Sequence, residues 1–146
     1  MRVFLDTNII LDVLLNRREW VSESANVILR CAESGNPLFI AWHGLATVYY
    51  LVRRGRTETE ALSEIDKLLG WVHIADAGDA AARLARSLDF TDFEDALQAV
   101  CAESCGSDWI VTRNVPDFSK GKTPALTPAE FLAKFPGPLS KQNTGR

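Results

Sequence analysis

The chain has 146 residues, of which 47% are hydrophobic and 24% charged, and its formal net charge is −3. These values are typical of one globular domain with a sizeable core, and the negative charge provides no general attraction to a polyanion. The sequence has neither a charge-free stretch of membrane-spanning length nor a secretory leader, and its three cysteines form no disulfide framework. We therefore expect a cytoplasmic protein with buried thiols that makes no membrane contact.

Short apolar runs, typical of buried strands, alternate with longer segments in which apolar residues recur at helical spacing. Three Thr-x-x-Glu patterns, at 57–60, 91–94 and 127–130, predict capping boxes at helix starts. The predicted elements are, in order, a strand at 3–5, a helix from about 8, a helix at 20–33, a strand at 38–40, a helix around 45–52, a helix from 58, a strand at 71–74, a helix at 78–88, a helix through 96–101, strands at 109–111 and 125–126, and a last helix.

Strands that alternate with helices predict a mainly parallel sheet with helices on both faces. We therefore expect an α/β fold, a three-layer α/β/α sandwich with four to five strands, over residues 1–135. Residues 136–146 contain few large apolar side chains and are expected to form a disordered tail. In such sheets ligands bind beyond the carboxyl ends of the strands, at a switch in strand order.

Polar side chains stand where the predicted strands end. Asp6 follows the first strand, Thr112, Asn114 and Asp117 follow the fourth, and Asp95 falls in the first turn of the preceding helix. Carboxylates that converge on one pocket repel each other unless a cation neutralises them, and oxygen ligands favour Mg²⁺ or Mn²⁺. The pattern therefore indicates metal-dependent chemistry on a phosphate.

Some acidic residues also have simpler interpretations. Asp6 and Asp92 are placed to cap helix N-termini, and Glu94 is most simply the reciprocal partner of Thr91 in a capping box. Asp95 has no capping duty, because its neighbours already supply the cap. A buried lone carboxylate at Asp6 is costly without a partner or a metal ion, which favours the metal-site interpretation.

Three segments together resemble the PIN-domain family, and more narrowly its VapC-type ribonuclease toxins: VFLDTNIILDVL at 3–14, DFEDALQAVCA at 92–102 and IVTRNVPDF at 110–118. The first segment alone is weakly specific, whereas the three in this order are specific. The resemblance implies an endoribonuclease that cleaves single-stranded RNA, depends on Mg²⁺ or Mn²⁺, and is the toxin of a type II toxin–antitoxin pair. It also implies a homodimer, and an antitoxin whose C-terminal segment covers the active site.

The resemblance also assigns roles to individual residues. The candidate catalytic residues carried over from the family are Asp6, Asp95, Asp117, Asn114 and Thr112. The three aspartates are the implied metal ligands, the last of them directly or through water, while the asparagine and the threonine orient the water or the phosphate. Asn8 is the polar residue that supports the first aspartate. The implied reaction has no covalent enzyme intermediate and leaves 5′-phosphate and 3′-hydroxyl ends.

One position departs from the family pattern. Family members commonly carry a glutamate on the helix after the second strand, where this chain has Thr47. A hydroxyl cannot supply the negative charge of a glutamate, so we expect one well-bound ion rather than two, unless Asp92 or Glu94 compensates. The alternative function is therefore a PIN-like domain that binds RNA or a protein partner but cleaves poorly.

The region after the second predicted strand also contains a histidine and several aromatic residues. His43 is a candidate general base, although a helix-start or packing role is simpler for a histidine without an orienting partner. Trp42, Tyr49 and Tyr50 could stack on bases, but we expect them in the core or in a dimer interface.

Two groups of arginines are candidate contacts for RNA phosphates. Arg53, Arg54 and Arg56 form the first group, and Arg17 and Arg18 form the second. For the first group, the simpler interpretation is a solvated helix end that is favoured by the helix dipole.

Two other phosphate-handling folds fit less well. A phosphorylated receiver domain needs an acidic pair after its first strand and a lysine near its fifth; Asp76 could be the acceptor, but the pair and the lysine are absent. A haloacid-dehalogenase-type phosphatase needs a second aspartate at the position that Asn8 occupies.

Overall fold

The structure is a computed structural model that describes residues 1–137. Its five strands form one sheet in the order β3-β2-β1-β4-β5, and every pairing between them is parallel. The strands are β1 (Val3–Leu5), β2 (Leu38–Ala41), β3 (His73–Ala75), β4 (Trp109–Val111) and β5 (Ala125–Leu126). The predicted tail at 136–146 lies, apart from its first two residues, outside the described residues.

Seven α-helices occur within the described part of the chain. They are α1 (Thr7–Leu14), α2 (Val21–Glu33), α3 (Trp42–Arg53), α4 (Glu58–Leu69), α5 (Asp79–Ser87), α6 (Phe93–Ser104) and α7 (Pro128–Lys134). A short 3-10 helix, Val115–Phe118, follows β4. Over residues 1–137, none of the helices has the length and apolar character needed to cross a bilayer.

Different helices cover the two faces of the sheet. Val3 and Leu5 belong to a core with apolar residues of α1, α2, α3, α4 and α7, whereas Phe4 packs on the other face with residues of α6. Successive residues of a strand point to opposite faces, so this division shows that helices lie on both sides of the sheet. The predicted three-layer α/β/α sandwich is confirmed.

Two elements begin two or three residues away from their predicted start. The third strand was predicted at 71–74 but begins at His73, because the amides of Trp71 and Val72 still donate to the Leu68 carbonyl at the end of α4. Helix α3 begins at Trp42, directly after β2, because no turn separates the two elements.

The predicted capping box at 91–94 is wrong by one residue. Asp92 is the N-cap of α6, and its carboxylate accepts a hydrogen bond from the Asp95 amide at 3.1 Å. The third helical position is therefore Asp95, so the side chain of Glu94 is left for contacts beyond its own helix. The boxes at Thr57 and Thr127 are both present.

A buried ion cluster joins α1 and α2 to the loop after β4. The Asp12 side chain is fully buried, and its Oδ1 lies 3.2 Å from Arg113 Nη2 and 3.4 Å from Arg17 Nη1. Its Oδ2 accepts a hydrogen bond from Ser24 Oγ at 3.0 Å, and the Arg113 guanidinium stacks 3.8 Å from the centre of the Trp20 ring. Arg17 belongs to this cluster with 28% of its side chain exposed, and its contact with RNA phosphates stays a prediction.

Candidate active site

The candidate site lies where the order of strands reverses. From β1 the chain adds β2 and then β3 on one side, and afterwards β4 and β5 on the other. Asp6 and Thr112 follow the two adjacent strands at this reversal, and Thr112 Oγ1 donates a hydrogen bond of 2.8 Å to Asp6 Oδ2. Such a reversal opens a crevice at the carboxyl ends of the strands, which is where ligands bind in these folds.

Asp6 is almost completely buried, with 4% of its surface exposed. Its Oδ1 accepts hydrogen bonds from Gln98 Nε2 at 3.0 Å and from the Asn8 amide at 3.4 Å. Burial raises the pKa of Asp6 above its ordinary value, although these hydrogen bonds act in the opposite direction. Asp6 also caps α1, which confirms its capping role, and its role as a metal ligand stays a prediction. Asn8 supports Asp6 through its backbone, while its side chain accepts from Arg17 Nη1.

Asp95 lies in the first turn of α6 and faces several other carboxylates. Its pKa rises to about 7, first because of partial burial and then because of the negative charges of Asp6, Glu94, Asp92 and Asp117. Carboxylate oxygens of Asp92, Glu94 and Asp95 lie within 4.8 Å of one another. Over residues 1–137, Asp95 is the predicted metal ligand that belongs to this group, while Asp6 and Asp117 act on it through their charges.

The loop after β4 supplies the remaining predicted site residues. Thr112 is fully buried. Its hydroxyl donates a hydrogen bond to Asp6 and accepts one of 3.1 Å from the Asn114 amide. The Asp117 amide donates to the Asn114 carbonyl at 3.0 Å, and both of these side chains are exposed. Thr112 therefore orients Asp6, whereas Asn114 and Asp117 are open to a ligand.

His43 has the orienting partners that the sequence analysis did not find for it. Its Nε2 lies 3.2 Å from Glu94 Oε1, and its pKa rises to about 9, first through a hydrogen bond with Cys101 and then through Glu94. A histidine with this pKa is protonated at neutral pH, which argues against a general base. Glu94 is thus an ion-pair partner of His43, not the partner of Thr91 in a capping box.

Gln98 is the site residue that the sequence analysis missed. It is 1% exposed and donates through Nε2 to both Asp6 and Glu94, while its Oε1 accepts from the Thr7 amide at 3.1 Å. The sequence signal that could have revealed it is a single amide side chain inside the apolar run 96–102. A polar group that is buried in such a run needs hydrogen-bond partners elsewhere in the fold.

Two of the three aromatic residues of α3 are exposed. Trp42 is 64% and Tyr50 70% exposed, so neither lies in the core and a dimer interface stays the prediction for both, whereas Tyr49 packs partly against the core. They line an apolar groove of about 510 Å³ between α3 and α4. Thr47 lies exposed on the same helix, one turn beyond His43.

The arginines at the end of α3 are held by backbone carbonyls. Arg56 Nη1 donates to the Val52 carbonyl at 2.9 Å, and Arg53 donates to the carbonyl of Arg56. These contacts support the interpretation of a solvated helix end, and contact with RNA phosphates stays a prediction for Arg53, Arg54 and Arg56.

The donor set of the site fits a divalent cation. Over residues 1–137, no lysine or arginine nitrogen lies within ion-pair distance of the clustered carboxylates, and the counter-charge that they have is His43 beside Glu94. Oxygen ligands that share an excess of negative charge are those that Mg²⁺ and Mn²⁺ prefer. Burial, and then the charges of neighbouring carboxylates, raise the pKa values of Asp6 and Asp95, and a bound cation would oppose both effects.

We expect the metal-free protein to lose thermal stability as pH rises. The folded state favours the protonated forms of Asp95 and His43, because the pKa values of both are raised in it. This contribution to stability is complete below the unfolded-state pKa values. It is lost as pH rises through about 7 for Asp95 and about 9 for His43. Calorimetry in EDTA should therefore give a lower melting temperature at about pH 8 than at about pH 5. Asp95→Asn should reduce this difference and Mn²⁺ should restore stability at the higher pH; a difference unchanged by Asp95→Asn would contradict the assignment.

Comparisons with known proteins agree with this fold. A family model described as "PIN domain" matches residues 2–116. Ribonuclease VapC1 of Aquifex aeolicus is 29% identical over 139 residues, which cover 92% of this chain and 95% of that protein. Among solved structures, VapBC2 from Rickettsia felis, bound to a promoter DNA fragment, has a chain similar at TM-score 0.68 and 19% identity, covering 87% of this chain and 98% of that one.

A chain of VapBC-1 from nontypeable Haemophilus influenzae gives TM-score 0.66 and 16% identity over 88% of this chain and 99% of that one. At these identities the structural similarity establishes the fold, and the family follows from the match over residues 2–116. The chain therefore belongs to the PIN domain family.

Proposed function

We propose that this protein is a Mg²⁺- or Mn²⁺-dependent endoribonuclease that cleaves single-stranded RNA and serves as the toxin of a type II toxin–antitoxin pair. The observation that carries the proposal is the acidic cluster around Asp6 and Asp95 at the reversal of strand order. The similarity to Ribonuclease VapC1, over nearly the full length of both proteins, supports RNA as the substrate.

In this proposal each residue of the site has its own role. Asp6 and Asp95 hold the cation directly, and Asp117 holds it directly or through water. Asn114 orients the water or the phosphate, while the buried Thr112 orients Asp6. When bound, the divalent cation polarises a phosphoryl oxygen and lowers the pKa of a water molecule. Attack of water on phosphorus, with cleavage of the P–O3′ bond and transfer of a proton to the departing 3′ oxygen, would leave 5′-phosphate and 3′-hydroxyl ends.

A panel of single-stranded RNAs, incubated with the purified protein and increasing Mn²⁺, tests the activity. We expect cleavage that rises with Mn²⁺, disappears in EDTA, and is weak on the same sequences in duplex form. Binding without cleavage at every Mn²⁺ concentration would contradict the nuclease and support the alternative function, a PIN-like domain that binds RNA or a partner. Thr47 is the residue that favours this alternative, because it offers no carboxylate on α3.

We further propose a cognate antitoxin and a homodimer as partners. The exposed apolar groove that contains Trp42 and Tyr50 supports a protein contact, since large apolar patches are uncommon on isolated domains. The VapBC complexes that share this fold support an antitoxin. Co-expression with a small DNA-binding protein encoded by the adjacent gene should yield a stable complex that suppresses cleavage, and light scattering should show a dimer of the chain alone.

A further inference from the structure

One buried amide lies between two carboxylates that come from different parts of the fold. Asp6 directly follows β1, whereas Glu94 lies on α6. Both carboxylates accept a hydrogen bond from the side-chain nitrogen of Gln98, at 3.0 Å for Asp6 and 2.9 Å for Glu94. Gln98 follows Glu94 by four residues, so the two share a face of α6. The distance of 92 positions between Gln98 and Asp6 makes their contact a product of the tertiary fold.

The hydrogen-bonding capacity of this amide is fully used. Its two N–H groups bind the two carboxylates, and its oxygen accepts from the Thr7 amide at 3.1 Å and faces Thr7 Oγ1 at 3.5 Å. Reversing the amide would place its oxygen against two carboxylates and its nitrogen against an N–H group. The network therefore determines which end of the amide faces the acidic cluster.

Residues of α1 and α3 pack against this arrangement. Thr7 opens α1, and a Cβ on Gly44 of α3 would come within 2.8 Å of Thr7 Oγ1, so the two helices are in close contact here. His43, also on α3, holds the other oxygen of Glu94. Glu94 is thus fixed from α3 and from α6, while the helix position that commonly carries a glutamate in this family holds Thr47.

The chemistry of an amide suits this location. A lysine or arginine would neutralise the carboxylates and remove their need for a cation, whereas a glutamine supplies two donors and no charge. A leucine or methionine would leave the buried Asp6 oxygen and the partly exposed Glu94 oxygen without these donors. A neutral double donor holds the acidic side chains together and preserves their attraction for a divalent ion.

We propose that Gln98 is a positioning residue that sets the metal affinity of the site by holding Asp6 and Glu94 together, with Glu94 as the carboxylate that α3 lacks. This inference rests on the proposed function, because it concerns the cation of the same site. Outer partners of metal ligands commonly change metal affinity by about 10- to 100-fold when they are removed.

The test is calorimetric titration of Mn²⁺ into the full chain and its variants. Gln98→Met removes both donors at similar side-chain volume and should weaken Mn²⁺ binding by about 10- to 100-fold. Leu97→Met, on the same helix but outside this network, is the matched control and should keep the affinity of the parent. A purely structural role would lower the melting temperature of Gln98→Met and leave its Mn²⁺ affinity unchanged, which would overturn the proposal.

A second variant decides the matter if Gln98→Met does not fold. Gln98→Asn keeps the amide but shortens the side chain by one methylene, so it cannot reach Asp6 and Glu94 together, and its Mn²⁺ affinity should also fall by about 10- to 100-fold. An affinity equal to that of the parent would overturn the proposal. A parent protein that binds no Mn²⁺ would contradict the proposed function as well, whereas normal parental binding with unchanged variants would contradict the role of Gln98 alone.

Discussion

Asp6→Asn or Asp95→Asn is expected to lower RNA cleavage by more than about 100-fold while leaving the fold intact, because losing only an outer partner of a metal ligand already costs about 10- to 100-fold. Asparagine retains one oxygen acceptor but loses the charge that attracts the cation. At Asp6, that oxygen can still accept from Gln98 and from the Asn8 amide. Cleavage should be measured with a fluorescent single-stranded RNA, beside circular dichroism and the melting temperature.

The matched control is Asp89→Asn. Asp89 is an exposed aspartate that forms an ion pair with Lys120 at 2.8 Å and does not belong to the acidic cluster. This variant should cleave RNA as the parent does. In EDTA, Asp6→Asn and Asp95→Asn should melt no lower than the parent, because both changes remove a carboxylate whose charge is disfavoured in the folded state. Parental cleavage by a highly purified Asp6→Asn protein would refute the assignment.

Asp12→Ala is expected to lower the free energy of unfolding by up to about 3–5 kcal/mol, the cost of breaking a buried ion pair, here with two partly exposed arginines left without their partner. Asp12 is fully buried, and its loss leaves Arg113 and Arg17 without their shared carboxylate and Ser24 without an acceptor. Urea unfolding measures the difference. Because Arg113 lies in the loop that carries Thr112 and Asn114, cleavage should also fall in the folded fraction.

An exposed ion pair serves as the comparison for Asp12. Asp79 and Arg83 are 80% and 79% exposed and meet at 3.0 Å, so Asp79→Ala should cost less than about 1 kcal/mol. A loss for Asp12→Ala no larger than that for Asp79→Ala would show that the buried cluster contributes little to stability.

Much of the fold could be predicted from the sequence because strands, helices and caps are local. The runs Val3-Phe4-Leu5 and Trp109-Ile110-Val111 are short and apolar, and the capping box at Thr57 has the predicted hydrogen bonds. The order of these elements, together with the rule on ligand binding at strand ends, selected Asp6 as a candidate, whereas the resemblance to the PIN-domain family assigned Asp95 as a metal ligand.

The prediction from local sequence patterns was wrong at the N-terminus of α6, where two capping arrangements are possible. At the start of α6, Thr91 with Glu94 and Asp92 with Asp95 are both possible N-terminal arrangements, and their registers differ by one residue. The structure adopts the second, which frees Glu94 to contact His43 and Gln98. A shift of one residue along a helix turns a side chain by about 100°, which decides whether Glu94 bonds to its own helix or faces the site.

The sequence by itself determined the α/β architecture, the alternation of its elements and the most buried acidic residue of the candidate site. Only the tertiary structure decided which partners these residues have. Gln98 and Asp6 are 92 positions apart, and Asp12 meets Arg113 across a similar interval. Periodicity and caps depend on neighbours within one or two turns, whereas a buried hydrogen bond or ion pair depends on which elements the sheet brings side by side.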